Sequence, residues 1–421
     1  MVEIVYGGKM KYKICIIGLG YVGLPLAVEF SKIGHNVIGV DINANRIEEL
    51  KKSYDRNKQI SEEDLSSLNI MYTTNIFDAK DSDFFIITVP TPVHVNKIPD
   101  LNPIIKASES VGKVISKGAI VILESTVYPG VTEEVVGQII EKVSGLKSGI
   151  DFKLGYSPER VNPGDKTHTL KTVIKVVSGQ DLDSLKKISN LYSQIVSNVF
   201  EAKSIKIAEA SKILENTQRD VNIALMNEFA LMFDKMKINI WDVIEAASTK
   251  WNFLRFTPGL VGGHCIPVDP YYIIHKSRMF EFEPKIITSA RYVNDFMVEY
   301  IFQKILLSLN DMKRTINGSS ILFLGITFKE NIPDMRNSLN YKLAEKLKRA
   351  GGNITIVDPY TNLNVFRYIP ERAYDVIVLA VPHDVFLKNL EKIINLDTKL
   401  FVDLKGILRN KHINAKYISI T

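Results

Sequence analysis

Six residues, Gly18-Leu19-Gly20-Tyr21-Val22-Gly23, do most to limit what this chain can become. They follow Lys13–Gly18 (KICIIG), a short apolar run that reads as a buried strand, and they open a stretch over 21–34 that reads as a helix stopped by Gly34. Asn36–Asp41 (NVIGVD) reads as the next strand, and Asp41 stands 18 residues beyond Gly23. The G-x-G-x-x-G pattern is weak in isolation. Between a strand and a helix, with an acid closing the second strand, it specifies a dinucleotide-binding βαβ unit. Gly18, Gly20 and Gly23 let the backbone turn tightly and approach a pyrophosphate, and the free N–H groups around Tyr21 and Val22 at the helix start favour anions. Asp41 can accept hydrogen bonds from ribose hydroxyls, and its charge repels a 2′-phosphate, so NAD is expected rather than NADP. Arg46 either covers the adenine or lies in solvent.

Two further strands, Asp83–Val89 and Ala119–Glu124, continue the alternation, as in a parallel, doubly wound sheet. The pattern returns near the C-terminus. Ser320–Gly325 is followed by a helix over 338–350, then Asn353–Asp358 (NITIVD), Tyr374–Pro382 (YDVIVLAVP) and Lys399–Leu404. The second set resembles the first in order and spacing. The expected fold is α/β, with two Rossmann-like doubly wound domains. Ile205–Met236 joins them: it has apolar residues at helical spacing and no Pro or Gly, and its helix would run roughly 45 Å. Such a helix can link two domains and present a dimer surface, or serve as the core helix of one. The expected domains are 1–200 for NAD, 201–312 for the helical centre with the cysteine loop, and 313–421 for a second phosphorylated ligand.

Composition removes several function classes. The net charge of +6 comes from 53 basic and 47 acidic residues with no basic stripe, which disfavours a nucleic-acid partner and suits a small anionic ligand. No apolar run of about 18 residues signals a membrane span. Only Cys15 and Cys265 occur, and no leader pattern is seen, so a cytoplasmic location is expected. His94, His168 and His264 lack metal-ligand spacing, and no metal is expected.

The chemistry concentrates in a few segments. Cys15 sits within the first strand as a small core residue, whereas Cys265 lies in Gly262-Gly263-His264-Cys265-Ile266-Pro267-Val268-Asp269, where a reactive thiolate can be placed. A thiol adds to an aldehyde to give a thiohemiacetal, which oxidation turns into a thioester that water cleaves. Asp269, four residues on, can orient that water. Lys212 and Asn216 are one helical turn apart and can offer a cation and an amide to a developing oxyanion, or simply form a solvated face. Ser125-Thr126 ends a strand at the sheet's carboxyl edge, Pro90-Thr91 lines the cofactor crevice, and Glu159-Arg160 occupies a Pro/Gly-rich loop. Lys329 and Arg336 follow the first strand of the second α/β unit, either to hold phosphate or as surface charges.

The motifs GLGYVG, ESTVYPG, GYSPERVNPGDK, AEASKILENTQRD, GLVGGHCIPVDPYY and GITFKENIPDMRNS, in this order, resemble the nucleotide-sugar dehydrogenase family over nearly the whole chain. TVPTP, ENTQRDVNIALMNE and KWNFLRFTPGLVGGHC are most similar to the branch acting on UDP-N-acetylglucosamine or its galacto epimer, with the mannosamine branch close behind. The resemblance implies a four-electron oxidation of a sugar hydroxymethyl to a carboxylate, with NAD as acceptor, for polysaccharide or glycan synthesis. By it, Cys265 is the nucleophile and Lys212 stabilises the oxyanion, while Asn216 and Asp269 position the substrate oxygen and the water. Thr126 and Glu159 assist through that water, Lys329 contacts the nucleotide, Arg336 the cofactor, and Arg255 lies near the substrate. A homodimer built on the central helix is also implied. One position departs: Pro163 stands where relatives acting on UDP-glucose often carry a second glutamate, which argues against that substrate. A two-electron hydroxy-acid dehydrogenase would not need Cys265, and a non-catalytic NAD sensor would not need Lys212, Asn216, Cys265 and Asp269 together.

Overall fold

A computed structural model describes residues 11–161, 169–361, 363 and 365–420. The chain divides into two compact units, Met1–Leu214 with Tyr271–Lys276, and Glu215–Pro270 with Ser277–Thr421.

The first unit carries eight strands: β1 (Lys13–Ile17), β2 (Asn36–Val40), β3 (Ile70–Thr73), β4 (Phe84–Ile87), β5 (Ile120–Leu123), β6 (Lys153–Tyr156), β7 (Ile174–Gly179) and β8 (Asn198–Glu201). Their order across the sheet is β3-β2-β1-β4-β5-β6-β7-β8. The pairs are parallel except β6 with β7, an antiparallel departure from the expected doubly wound sheet. Both faces of the sheet are covered, which is why KICII and FFII are continuous apolar runs rather than alternating ones. Ile14, Ile16, Phe84, Ile86 and Ile120 pack with Leu24, Leu26 and Phe30 of the first helix, Gly23–Lys32. Each such side chain contributes roughly 1.5–3 kcal/mol by leaving water. That helix ends where Gly34 takes φ +88° and its N–H bonds to the Ser31 carbonyl.

The second unit carries β9 (Ser320–Leu324), β10 (Asn353–Val357), β11 (Tyr374–Leu379), β12 (Thr398–Asp403) and β13 (Lys416–Ser419), ordered β10-β9-β11-β12-β13 and parallel throughout. Ile321 and Phe323 face Met297, Leu343 and Leu347, while Leu322 and Leu324 face Ile377, Phe401 and Phe386. The two α/β sheets expected at the chain's ends are present, as is the long helix, which spans Ile205–Met236. Short strands that no motif announced, such as β3 and β13, complete the sheets.

The two sheets repeat one device at the end of their first strand. In the first unit the Gly18 N–H bonds to Val40 O at 2.8 Å, and Asp41 accepts from the N–H of Leu19 at 2.8 Å and of Asn43 at 2.9 Å. In the second, Gly325 N–H bonds to Val357 O at 2.9 Å, and Asp358 accepts from the N–H of Ile326 at 2.7 Å and of Tyr360 at 2.8 Å. In each sheet a reversal of strand order opens a crevice at the carboxyl ends, between β1 and β4 and between β9 and β11.

Candidate active site

In the first unit, Gly18 takes φ +94°, a left-handed conformation that favours glycine. A Cβ on Gly23 would fall 1.9 Å from the Gly18 carbonyl oxygen, so the helix can approach the strand only because no side chain intervenes. A Cβ on Gly20 would meet nothing within 4 Å, which leaves that face of the turn open. Tyr21 and Val22, half-buried, lead into the helix. The open turn, the close helix and the half-buried Asp41 carboxylate at the end of β2 together fit a dinucleotide: pyrophosphate on the turn, ribose on the acid.

Arg46 does not lie in solvent. It is 5% exposed; its Nε donates to the Leu19 carbonyl at 2.9 Å and its Nη2 to Asp55 at 2.8 Å. The guanidinium braces the glycine turn from behind, a role that the spacing to Asp41 could not reveal. Thr91 is fixed through its carbonyl, which accepts from the Tyr272 hydroxyl at 2.7 Å, and Pro90 beside it is exposed.

Thr126 is half-buried just beyond β5. The turn after it is held by Glu209 of the long helix, a residue that sequence reasoning missed. Glu209 accepts from the N–H of Gly130 at 2.6 Å, the N–H of Thr132 at 2.9 Å and the Thr132 hydroxyl at 2.6 Å. Burial pushes its carboxyl up to about 7, against the pull of those donors. Glu159 turns back on its own loop, accepting from the N–H of Arg160 at 2.7 Å and of Val161 at 2.5 Å. It also lies 3.8 Å from the buried Lys175, which donates to Glu124 at 2.7 Å. Arg160 donates to the Ile174 carbonyl at 3.0 Å. Pro163 and His168 lie outside the described residues.

Lys212 stands on the long helix with 9% exposure. Among the described residues its ammonium has no hydrogen bond or ion pair. Lys212 is thus not on a solvated face: it is a nearly buried cation that no carboxylate among the described residues offsets.

The second unit gathers the rest. Gly263 takes φ +97°, and Cβ atoms on Gly262 or Gly263 would lie 3.0 Å from Phe328. Asn337 Nδ2 donates to the Gly263 carbonyl at 3.1 Å. The glycines thus let the cysteine loop pack directly on the loop that carries Lys329. Cys265 is partly exposed, and its carbonyl accepts the Asp269 N–H at 2.8 Å, in the turn that opens the helix Asp269–Arg278. Asp269 is buried, and its carboxylate accepts a hydrogen bond from the Asn216 side-chain amide. Thiol turn, carboxylate and amide form one constellation.

Lys329 is half-buried in the loop after β9. Arg336 grips Asp334 with its Nε at 3.0 Å and its Nη2 at 2.6 Å, and His264 lies 3.6 Å from the same acid. Burial raises the Asp334 carboxyl, but the Arg336 guanidinium outweighs it and the net shift is downward. Arg255 is exposed, with no partner among the described residues. Among the described residues, no helix is long and apolar enough to cross a membrane, and no group of three His, Cys, Asp or Glu could hold a metal.

A dinucleotide cradle on one α/β sheet, a second α/β sheet with a basic loop, and a thiol–carboxylate–amide cluster define an NAD-dependent dehydrogenase with two Rossmann-like sheets. The comparisons with known proteins agree. The NAD-binding, central and UDP-binding domains of the UDP-glucose/GDP-mannose dehydrogenase family match residues 12–196, 206–296 and 322–410. The chain belongs to that family. It is 48% identical to Protein CapL of Staphylococcus aureus, over 96% of this chain and 98% of that one. With UDP-N-acetyl-D-glucosamine 6-dehydrogenase of Salmonella typhi the identity is 44%, over 98% and 97%. Among solved structures, the UDP-D-ManNAc dehydrogenase of Pyrococcus horikoshii superposes with a TM-score of 0.89 at 31% identity, covering 97% of this chain and 99% of that one.

Proposed function

We propose that this enzyme oxidises the C6 hydroxymethyl of a UDP-N-acetylhexosamine, with UDP-N-acetylglucosamine the first choice, to the uronic acid through a thioester on Cys265. The observation that carries the reading is the Asn216–Asp269 hydrogen bond in the helix start that also holds Cys265. A thiol alone can trap an aldehyde; a thiol with an oriented carboxylate can also release the acid.

Gly18, Gly20, Tyr21, Val22, Gly23 and Asp41 would hold NAD⁺, which would supply the hydride acceptor for each of two oxidations. In the first, the substrate hydroxyl gives its proton to the water beside Asp269, the Lys212 ammonium stabilises the alkoxide, and loss of hydride from C6 to the nicotinamide leaves the aldehyde. The Cys265 sulfur then bonds to the aldehyde carbon, giving a thiohemiacetal whose oxidation leaves a thioester. Water adds to the thioester carbonyl, the C–S bond breaks, and the carboxylic acid leaves with the Cys265 thiol restored. Asp269 and Asn216 orient that water, with Thr126 and Glu159 assisting. Lys329 binds the nucleotide, with Arg160, Arg255 and Gly262 on the substrate side, and Pro90, Thr91 and Arg336 on the cofactor side. The proposed division of labour is 1–200 for NAD, 201–312 for catalysis and dimerisation, and 313–421 for the UDP-sugar.

Identity of 44% to a UDP-N-acetyl-D-glucosamine 6-dehydrogenase supports the gluco substrate. The likeness to the Pyrococcus horikoshii UDP-D-ManNAc dehydrogenase supports the manno epimer as the second choice. Incubation with NAD⁺ and a panel of UDP-sugars separates them. The gluco compound should turn over fastest, with two NADH per uronate; one NADH per product would overturn the four-electron reading. A homodimer is part of the proposal. Ile207, Leu214, Leu225, Met232 and Met236 are exposed on the long helix, spaced 7, 11, 7 and 4 apart, which puts them on one stripe.

A further inference from the structure

His383 follows β11 and is fully buried. Its Nδ1 accepts the backbone N–H of Asn331 at 2.9 Å, so the ring proton must sit on Nε2. Nε2 lies 3.4 Å from Asp358 Oδ2 and 3.3 Å from the Thr327 hydroxyl. The Thr327 hydroxyl in turn donates to the Lys329 carbonyl at 3.0 Å. The Asp384 N–H bonds to Asn331 Oδ1 at 3.0 Å, and Asn331 holds φ +59°. The ring is packed 4.7 Å from the Tyr360 ring and 5.5 Å from Phe386.

The repeat between the two sheets gives this cluster its meaning. Asp41, in the first, is half-buried and keeps a face toward solvent. Asp358, its counterpart, is fully buried, and His383 lies against it. The carboxylate that meets ribose in one sheet is closed off in the other, and it orients an imidazole instead. That imidazole reaches across the crevice between β9 and β11 to the loop that bears Lys329.

We propose that His383, oriented by Asp358, is a positioning residue that fixes the Thr327–Asn331 loop so that Lys329 meets the pyrophosphate of the nucleotide sugar. The inference rests on the reading above that Lys329 binds the nucleotide. Losing the Nδ1 acceptor would take from the Asn331 N–H its part-buried hydrogen bond and release the loop.

Two variants separate the ring's two nitrogens. His383→Asn keeps a side-chain acceptor near the Nδ1 position, and His383→Gln keeps a donor near Nε2 only. Binding of UDP to the purified full-length protein is measured by calorimetry, with NAD⁺ binding as the control and Lys329→Ala as the reference. His383→Gln should weaken UDP binding about tenfold and raise the sugar-nucleotide KM with little change in kcat, whereas His383→Asn should stay near the wild type. NAD⁺ affinity should hold in both. Equal UDP affinities in the Asn and Gln variants would overturn the proposal, whichever way both move. Unchanged UDP binding in Lys329→Ala would instead overturn the assignment of Lys329 and leave the test of the loop clamp standing.

Discussion

The side-chain amide of Asn216 donates to the carboxylate of Asp269, and Asp269 in turn sends its backbone N–H to the carbonyl of Cys265. One acid thus couples the long helix to the turn that carries the thiol. Asp269→Asn keeps the shape and removes the charge. Thioester hydrolysis should slow by about 10²–10⁴-fold, and the adduct should accumulate on Cys265. Intact-mass analysis after mixing with substrate and NAD⁺ checks this; hydrolysis at the wild-type rate would leave Asp269 a structural role only.

Lys212 invites a prediction with two signs. A nearly buried ammonium without a partner among the described residues costs stability. Lys212→Met should raise the melting temperature while lowering kcat on the order of 10²–10³-fold, since removing one donor to a developing oxyanion has effects of that size. Parallel melting curves and turnover assays report both. A destabilised variant with normal kcat would contradict the role.

Asp41 orients the Leu19 and Asn43 N–H groups besides its proposed contact with the ribose, so its removal should act on the cofactor and on the turn together. Asp41→Ala should raise the KM for NAD⁺ about tenfold or more, from charge-assisted hydrogen bonds lost, and narrow the gap between NAD⁺ and NADP⁺. An unchanged ratio between the two cofactors would remove Asp41 from ribose recognition.

Glu209 gives stability a pH dependence with a definite sign. Its carboxyl is raised to about 7 in the folded chain from an ordinary value of 4.5, so the folded state holds the proton more tightly. Its contribution is complete below pH 4.5 and is lost as pH rises toward 7, by a few kcal/mol at most. Glu209→Gln should flatten the melting temperature across that window. Wild-type and variant curves that run parallel between these pH values would show that Glu209 does not titrate there.

Much of this was legible in the amino-acid order because parallel strands covered on both faces leave continuous apolar runs, and turns that approach phosphate demand glycine. KICII, FFII and the glycine motif could hardly be anything else. The echo between NVIGVD and NITIVD located Asp41 and Asp358 in equivalent places, yet it could not say that one stays open and the other is sealed by His383. That difference depends on a residue 25 positions away. The brace that Arg46 forms was hidden for a similar reason: its partner Asp55 comes from a loop without a motif. Glu209 and Lys175 escaped because a charged residue in a helix or strand reads as surface until packing shows it buried.

The most direct test of the account is turnover by Cys265→Ser with NAD⁺ and UDP-N-acetylglucosamine. Steady-state NADH production should nearly cease and no covalent adduct should form, because an alcohol in place of the thiol cannot carry the acyl group at a useful rate. Wild-type turnover with two NADH per uronate in that variant would contradict covalent catalysis outright.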